Sequence, residues 1–243
     1  MSQSKDKFGE FFDEEHREYV SEIMDAEAEY YEKAAILINN DLPDWGGVVL
    51  DIGNGGIINY DYKKLKKLLC ADIYVSEKIK QTYRNMPNIE FTETDITNMK
   101  NIKSNVYDAV IVQKVIHHLA VPSYSETKKN AVRALRECMR VLKPSGKLII
   151  CESTVSRWFE LLEIFFFPLM LKMCDFIKFD RVYQYSPKSL ERLIRSGLKG
   201  KVEIEKMQDI GMGKYVLFLG RKLPARILPC SVTYYSLRKK TNQ

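Results

Sequence analysis

Val48-Val49-Leu50-Asp51-Ile52-Gly53-Asn54-Gly55-Gly56-Ile57 is the stretch on which the fold turns. Four of its first five residues are apolar, and the run closes on a glycine. That pattern predicts a short strand buried on both faces, followed by a tight turn. In an open parallel sheet, ligands bind in the crevice at the carboxyl ends of the strands, and glycines there let backbone come close to a ligand. The dinucleotide fingerprint G-x-G-x-x-G requires glycine at 53, 55 and 58; position 58 is Ile, so the fingerprint fails. A phosphate-binding Walker loop fails as well, because no G-K-[ST] follows. Taken alone, the motif leaves a bare structural turn as the alternative.

Downstream, strand-like and helix-like segments alternate. A helix is expected from Tyr60 to Leu69, a strand through Cys70-Ala71-Asp72-Ile73, a helix from Glu77 to Arg84 and a strand over Ile89–Thr92. Tyr107–Gln113 (YDAVIVQ) reads as a fourth buried strand and Glu126–Leu142 as a strongly periodic helix, which Lys143-Pro144-Ser145-Gly146 stops. Lys147–Glu152 is the fifth strand. Such alternation implies a parallel sheet covered on both sides. Pro187–Ser196 reads as a helix capped by Ser186. Val202–Met207 and Tyr215–Gly220 are expected to pair as an antiparallel hairpin at the sheet edge. The fold class expected is therefore α/β, a Rossmann-like, doubly wound, mostly parallel seven-stranded sheet. Residues 1–44 would form a helical cap, 45–222 the main domain with an apolar insertion at 155–180, and 223–243 a basic tail.

The chain has 243 residues, of which 45% are hydrophobic and 29% charged, so it can bury a core and is neither disordered nor disulfide-built. Its net charge of +6 is unevenly spread. Residues 1–44 hold 13 acids against 4 bases, whereas from Arg221 onward there are six bases and no acid. A solvated terminus or a contact with nucleic acid or anionic membrane both suit that tail. Five scattered cysteines without a CxxC pair indicate neither a zinc site nor a disulfide framework, so no metal is expected and a reducing cytoplasm fits best. The most apolar stretch, Trp158–Phe179, is interrupted by five charges and Pro168, which argues against a bilayer span.

Carboxylates recur at the ends of the expected strands. Asp72 lies 21 residues after Asp51, where it could accept two hydrogen bonds from a ribose diol, and Asp95 follows the third strand in Thr94-Asp95-Ile96. The fourth strand leads into Val115-Ile116-His117-His118-Leu119, and Arg140-Val141-Leu142-Lys143-Pro144-Ser145-Gly146-Lys147-Leu148-Ile149-Ile150 comes next. VLDIG-x-G, YDxVxxxxVxHHL and RVLKPxGKLII in this order make the chain resemble the class I S-adenosylmethionine-dependent methyltransferases from about Val48 to Glu152. The resemblance implies S-adenosyl-L-methionine as cofactor. It implies that Asp51, Gly53 and Gly55 line its methionine part, Asp72 holds the ribose hydroxyls, and Asp95 and Ile96 meet the adenine. Gln113 and Lys114 would lie beneath the sulfonium. Where the family often has a further glycine, this chain has Ile57, which is expected to narrow the loop.

His117, just past the fourth strand, is the candidate general base, with capping and packing as its structural alternative. Tyr30 and Tyr31 lie on the expected cap and could reach the cofactor or substrate, or simply pack. Three explanations compete for 158–179: packing against the lid, a hydrophobic acceptor pocket or membrane-surface contact, and a dimer interface. The acceptor expected is a small molecule methylated on oxygen, such as a natural product or a quinone-like, glycan or lipid precursor, and a nucleic-acid acceptor is not favoured. The alternatives are a methyltransferase-like module without turnover, or an RNA methyltransferase recruiting through the tail.

Overall fold

The two most continuous apolar runs lie side by side at the centre of a parallel sheet. They are β1 (Val48–Ile52) and β4 (Tyr107–Gln113), paired with Leu50 opposite Val110 and Asp51 opposite Ile111. The computed structural model describes residues 25–44, 46–176, 181–218 and 221–241. With β2 (Lys67–Asp72), β3 (Ile89–Glu93), β5 (Leu142–Val155), β6 (Val202–Asp209) and β9 (Cys230–Lys239), the sheet has seven strands in the order β3-β2-β1-β4-β5-β9-β6. β1 to β5 are parallel, and β9 runs antiparallel to both β5 and β6. Chain order reverses between β1 and β4, which opens the crevice at their carboxyl ends.

Alternating side chains of the strands build two cores. Leu50, Ile52, Val110, Val112, Leu148 and Ile150 pack on one face with α3 (Tyr124–Val141) and α6 (Pro187–Gly197). Val49, Ala109, Ile111, Ile149 and Cys151 pack on the other with α1 (Ala28–Asp41) through Tyr30, Ala34 and Ile38. α2 (Glu77–Thr82), α3, α4 (Arg157–Phe165) and α6 all start behind a serine, Ser76, Ser123, Ser156 and Ser186, whose hydroxyl accepts an N–H of the first turn. α5 (Phe167–Phe176) follows α4 after a break at Phe166.

Several expectations require correction. Tyr60–Leu69 is no helix: a single 3-10 turn, Tyr62–Lys64, precedes β2, which already begins at Lys67 because Leu68 and Cys70 alternate into the core under α1. Val202–Met207 does not pair with Tyr215–Gly220. β6 pairs with β9, whereas β7 (Tyr215–Phe218) pairs with β8 (Arg221–Pro224) in a separate two-stranded ribbon. The basic tail is thus largely an interior strand, with Tyr234, Tyr235 and Leu237 fully buried. Three of its charges are engaged within the chain, Lys222 with Asp25, Arg238 with Glu205, and Lys239 with the carbonyls of Met139 and Leu142. Of the expected N-terminal cap, residues 1–24 lie outside the described residues, as do 177–180 of the insertion.

Candidate active site

The parallel register brings the ends of four strands to one edge. Asp51 and Gly53 close β1, Asp72 closes β2, Gln113 and Lys114 close β4, and Glu152 lies in β5 one residue beyond Cys151, the partner of Gln113. Gly53 has φ +75°, and a Cβ there would sit 2.3 Å from Val115 Cγ2, so the turn requires glycine. Gly55 has φ +56° with open space where its Cβ would project. Asn54 fastens the turn by donating to Asp51 Oδ2 (3.2 Å) and accepting the Gly56 N–H (3.0 Å). Ile57 packs half-buried against the core cluster that α1 joins.

Asp51 is fully buried. Its Oδ2 accepts from the Tyr60 hydroxyl at 2.6 Å, but its Oδ1 has no partner among the described residues. Burial pushes this carboxyl up to about 7, against the pull of Tyr60 and Asn54 and helped by the nearby Asp72. A buried carboxylate with one oxygen free is suited to a cationic or N–H donor arriving from the crevice. Asp72 is half-buried; burial raises its carboxyl, while the N–H groups of Gly55 (3.1 Å to Oδ2) and Ile73 (2.6 Å to Oδ1) oppose that rise. Together with Asn54, Gly55, Gly56, Tyr74, Val75, Ile79 and Phe91 it lines a shallow open pocket. Apolar walls with one carboxylate at the rim fit a ring stacked against the former and a diol held by the latter.

Asp95 and Ile96 are not among the residues that line this pocket. Asp95 Oδ1 accepts from both the Thr97 N–H and its hydroxyl, each at 2.7 Å, and Ile96 belongs to the core beside α3. Gln113 is buried and held from two sides: Nε2 donates to Asn59 Oδ1 (3.0 Å), and Oε1 faces the Tyr30 hydroxyl at 3.5 Å. Lys114, at φ +52°, ion-pairs with the buried Glu27 and lies 4.3 Å from the Tyr30 ring centroid. Tyr30 therefore reaches the end of β4, whereas Tyr31 contributes its ring, 4.7 Å from that of Tyr30, and its carbonyl, which accepts from Asn59.

His117 lies in the 3-10 turn Ile116–Leu119 directly after β4, and its Nδ1 is 2.5 Å from Glu152 Oε1. Glu152 is fully buried and accepts two backbone N–H groups, Ile116 to Oε2 (2.7 Å) and Ser153 to Oε1 (2.9 Å). An acceptor held so firmly makes Nδ1 the donor and leaves the lone pair of the imidazole on Nε2. His118 is exposed, its ring 4.1 Å from that of His117. Sequence reasoning missed Glu152, Tyr60, Asn59 and Glu27. Only Glu152 carried a signal, as a lone carboxylate ending the apolar run Leu148–Cys151.

Residues 50–150 match the sequence model of a methyltransferase domain. The match and the fold together support a class I S-adenosylmethionine-dependent methyltransferase. Solved structures share the fold of this methyltransferase at low identity. The 1,6-didemethyltoxoflavin-N1-methyltransferase of Burkholderia thailandensis, with 1,6-didemethyltoxoflavin and S-adenosylhomocysteine bound, is 14% identical with a TM-score of 0.59, over 93% of this chain and 87% of that one. The N-methyltransferase NodS of Bradyrhizobium japonicum WM9, in complex with S-adenosylhomocysteine, is also 14% identical, with a TM-score of 0.57 over 90% and 91%. The [4+2]-cyclase SpnF is 16% identical with a TM-score of 0.59 over 87% and 81%, so the fold serves more than one chemistry. No curated protein matches the chain in sequence. Among the described residues of the methyltransferase, no helix is long and apolar enough to cross a membrane, and no group of three or more His, Cys, Asp or Glu could hold a metal.

Proposed function

We propose that this chain transfers a methyl group from S-adenosylmethionine to the hydroxyl oxygen of a small, largely apolar acceptor, with His117 as general base and Glu152 as its positioning residue. A natural product or a quinone-like, glycan or lipid precursor is the acceptor class in view. The cofactor supplies an already activated methyl electrophile, so alignment matters more to the reaction than elaborate acid–base machinery. Gly53 and Gly55 give it backbone access, Asp72 takes the ribose diol, and the free Oδ1 of Asp51 takes the amino end. Gln113 closes the floor near the reacting centre. Asp95 and Ile96, just beyond β3, are the candidates for the adenine.

The observation that carries the choice of oxygen is the His117–Glu152 pair. An acceptor hydroxyl must lose its proton during transfer, and an imidazole whose tautomer is fixed by a buried carboxylate is equipped to take it. The names of two structural neighbours specify N-methylation, so oxygen rests on this chain's own residues.

Titration calorimetry with S-adenosylmethionine and S-adenosylhomocysteine tests the cofactor half: micromolar binding is expected for the intact protein and its loss for Asp72→Ala. Retention of full affinity in that variant overturns the assignment of Asp72. For the acceptor half, S-adenosylhomocysteine release is followed with a panel of phenols, catechols and hydroxyquinones beside a panel of primary amines. His117→Ala should cost roughly 10²–10⁴-fold in kcat with phenolic acceptors. Glu152→Gln should shift the pH profile of the same reaction. Turnover of amines alone, or full turnover by His117→Ala, overturns the oxygen assignment.

A further inference from the structure

The helices that follow β5 are turned inside out. α4 exposes Trp158, Leu161, Leu162 and Phe165, spaced i, i+3, i+4 and i+7, and buries Glu160 and Glu163 at 1% and 3% exposure. An ordinary surface helix of a globular protein does the opposite. The stripe continues through Phe166, Leu169, Met173 and Phe176 beside α5, joined by the edge-to-face contact of Phe165 and Phe166 at 4.8 Å. Trp158, Phe165 and Phe176 are 80%, 78% and 88% exposed. These three rings alone present roughly 400 Å² to solvent, at the upper end of what a soluble surface normally leaves uncovered.

Hydrogen bonds hold the helix in this setting. Glu160 Oε2 accepts from the Ser186 hydroxyl (2.6 Å), the Ser189 hydroxyl (2.8 Å) and Arg157 (2.9 Å), and its Oε1 accepts from the Tyr183 hydroxyl (3.2 Å). Glu163 accepts the Gln184 N–H at 3.3 Å. With both acids of α4 turned inward, the outer side loses its negative charge. The one acid left at the surface of these helices, Asp175, is neutralised by Arg181. Lys172 on α5, and Lys188 and Arg192 on the neighbouring α6, are exposed and have no ion-pair partner among the described residues. Arg157 bonds Ser189, which ties the N-terminus of α6, with Lys188, to that of α4. Two copies stacked by this face would set cation against cation, whereas a surface of anionic lipid answers both the apolar stripe and its cationic rim.

We propose that α4 and α5 are a docking surface for an anionic bilayer, entered by the stripe from Trp158 to Phe176 with Lys172, Lys188 and Arg192 at the headgroups. The helix pair leaves β5 three residues beyond Glu152, so docking would set the acceptor side of the crevice at the lipid surface. The inference does not depend on which atom is methylated. The chain holds two tryptophans, Trp45 and Trp158, so Trp45→Phe makes Trp158 a sole reporter.

That single-tryptophan protein is mixed with vesicles of phosphatidylcholine alone and of phosphatidylcholine with phosphatidylglycerol at three to one. Co-sedimentation with the anionic vesicles, a blue shift of Trp158 emission and quenching by brominated acyl chains are expected. The pair Phe165→Ser and Phe176→Ser should weaken partition about tenfold or more with no loss of thermal stability, both rings being exposed. Lys172→Glu with Lys188→Glu should weaken binding to anionic vesicles by at least about tenfold while leaving the uncharged vesicles unaffected. Absence of binding by the intact stripe, or binding that survives loss of both phenylalanines, overturns the proposal. A dimer in sedimentation velocity that the same two serines dissolve would assign the stripe to a second copy and overturn it equally.

Discussion

α3 and α4 are both amphipathic helices of the acceptor half, and they direct opposite faces inward. α3 presses Ala131, Ala134, Leu135 and Cys138 onto the sheet, against Leu50, Ile52, Val110 and Val112. α4 presses Glu160 and Glu163 inward and leaves its aromatics outside. A helical period declares that two faces exist; the hydrogen-bonding capacity of the neighbours decides which one is buried. Below α3 there are only apolar strand faces, where a carboxylate would find no donor. Below α4 wait the hydroxyls of Ser186, Ser189 and Tyr183 and the N–H of Gln184, so the acids go there.

The comparison breaks most readily on α3. Leu135→Asp places an acid on the apolar sheet without donors, and a loss of about 4 kcal/mol or more is expected in urea unfolding, enough to leave little folded protein. A native-like transition midpoint would show that the sheet face under α3 can supply donors after all.

A smaller effect is expected at Glu163, whose carboxyl burial raises to about 8, helped by Glu160 and opposed by the Gln184 N–H. Between its ordinary value near 4.5 and about 8 the folded chain keeps a proton that the unfolded chain has lost. Stability contributed by this group is therefore fully present at low pH and is lost as pH rises through that window. Glu163→Gln should match the wild type near pH 4 and exceed it by about 2 kcal/mol or more at pH 8, as read from denaturant curves at a series of pH values. A difference that stays flat with pH would mean that Glu163 reaches solvent.

The smallest change should come from the outer face. Trp158→Ser and Phe165→Ser remove large side chains that contribute little to the folded monomer, and each should shift stability by no more than about 0.5 kcal/mol in vesicle-free solution. A loss of several kcal/mol would reveal an inward partner for the stripe.

Much of the central sheet was legible because its strands are buried on both faces and read as largely apolar runs. Val48–Ile52 and Tyr107–Gln113 needed no knowledge of their neighbours. β9 was hidden by its flanks. Pro224, Pro229, Arg238 and Lys239 suggest a solvated end, yet Arg238 finds Glu205, and Lys239 finds carbonyls at the end of α3. The 60–69 helix was inferred from lysines and leucines that suit helix or strand alike, and pairing with β1 decided for strand. At the site, Asp51, Asp72 and His117 announced themselves as polar groups ending apolar strands. Tyr60, Asn59 and Glu27 did not, because what recruits them is the turn geometry around Asp51 and Gln113. Asp95 is held in a local turn by Thr97, through Oδ1 alone.

β9 sits between β5 and β6, yet in chain order it is the last strand of the sheet. A ribosome delivering this polypeptide would release β6 while the place beside it is still empty, and the nascent sheet would carry the open edges of β5 and β6 until Cys230–Lys239 emerged. Those edges are templates for pairing with another chain. A message that ends early, or a protease that clips near Leu228, would thus strip out an inner strand rather than trim an end, leaving β6 with no strand to join it to β5. Quality control would meet such a product as an exposed sheet edge, and its abundance in a cell would reflect chaperone and protease capacity more than any property of the finished enzyme.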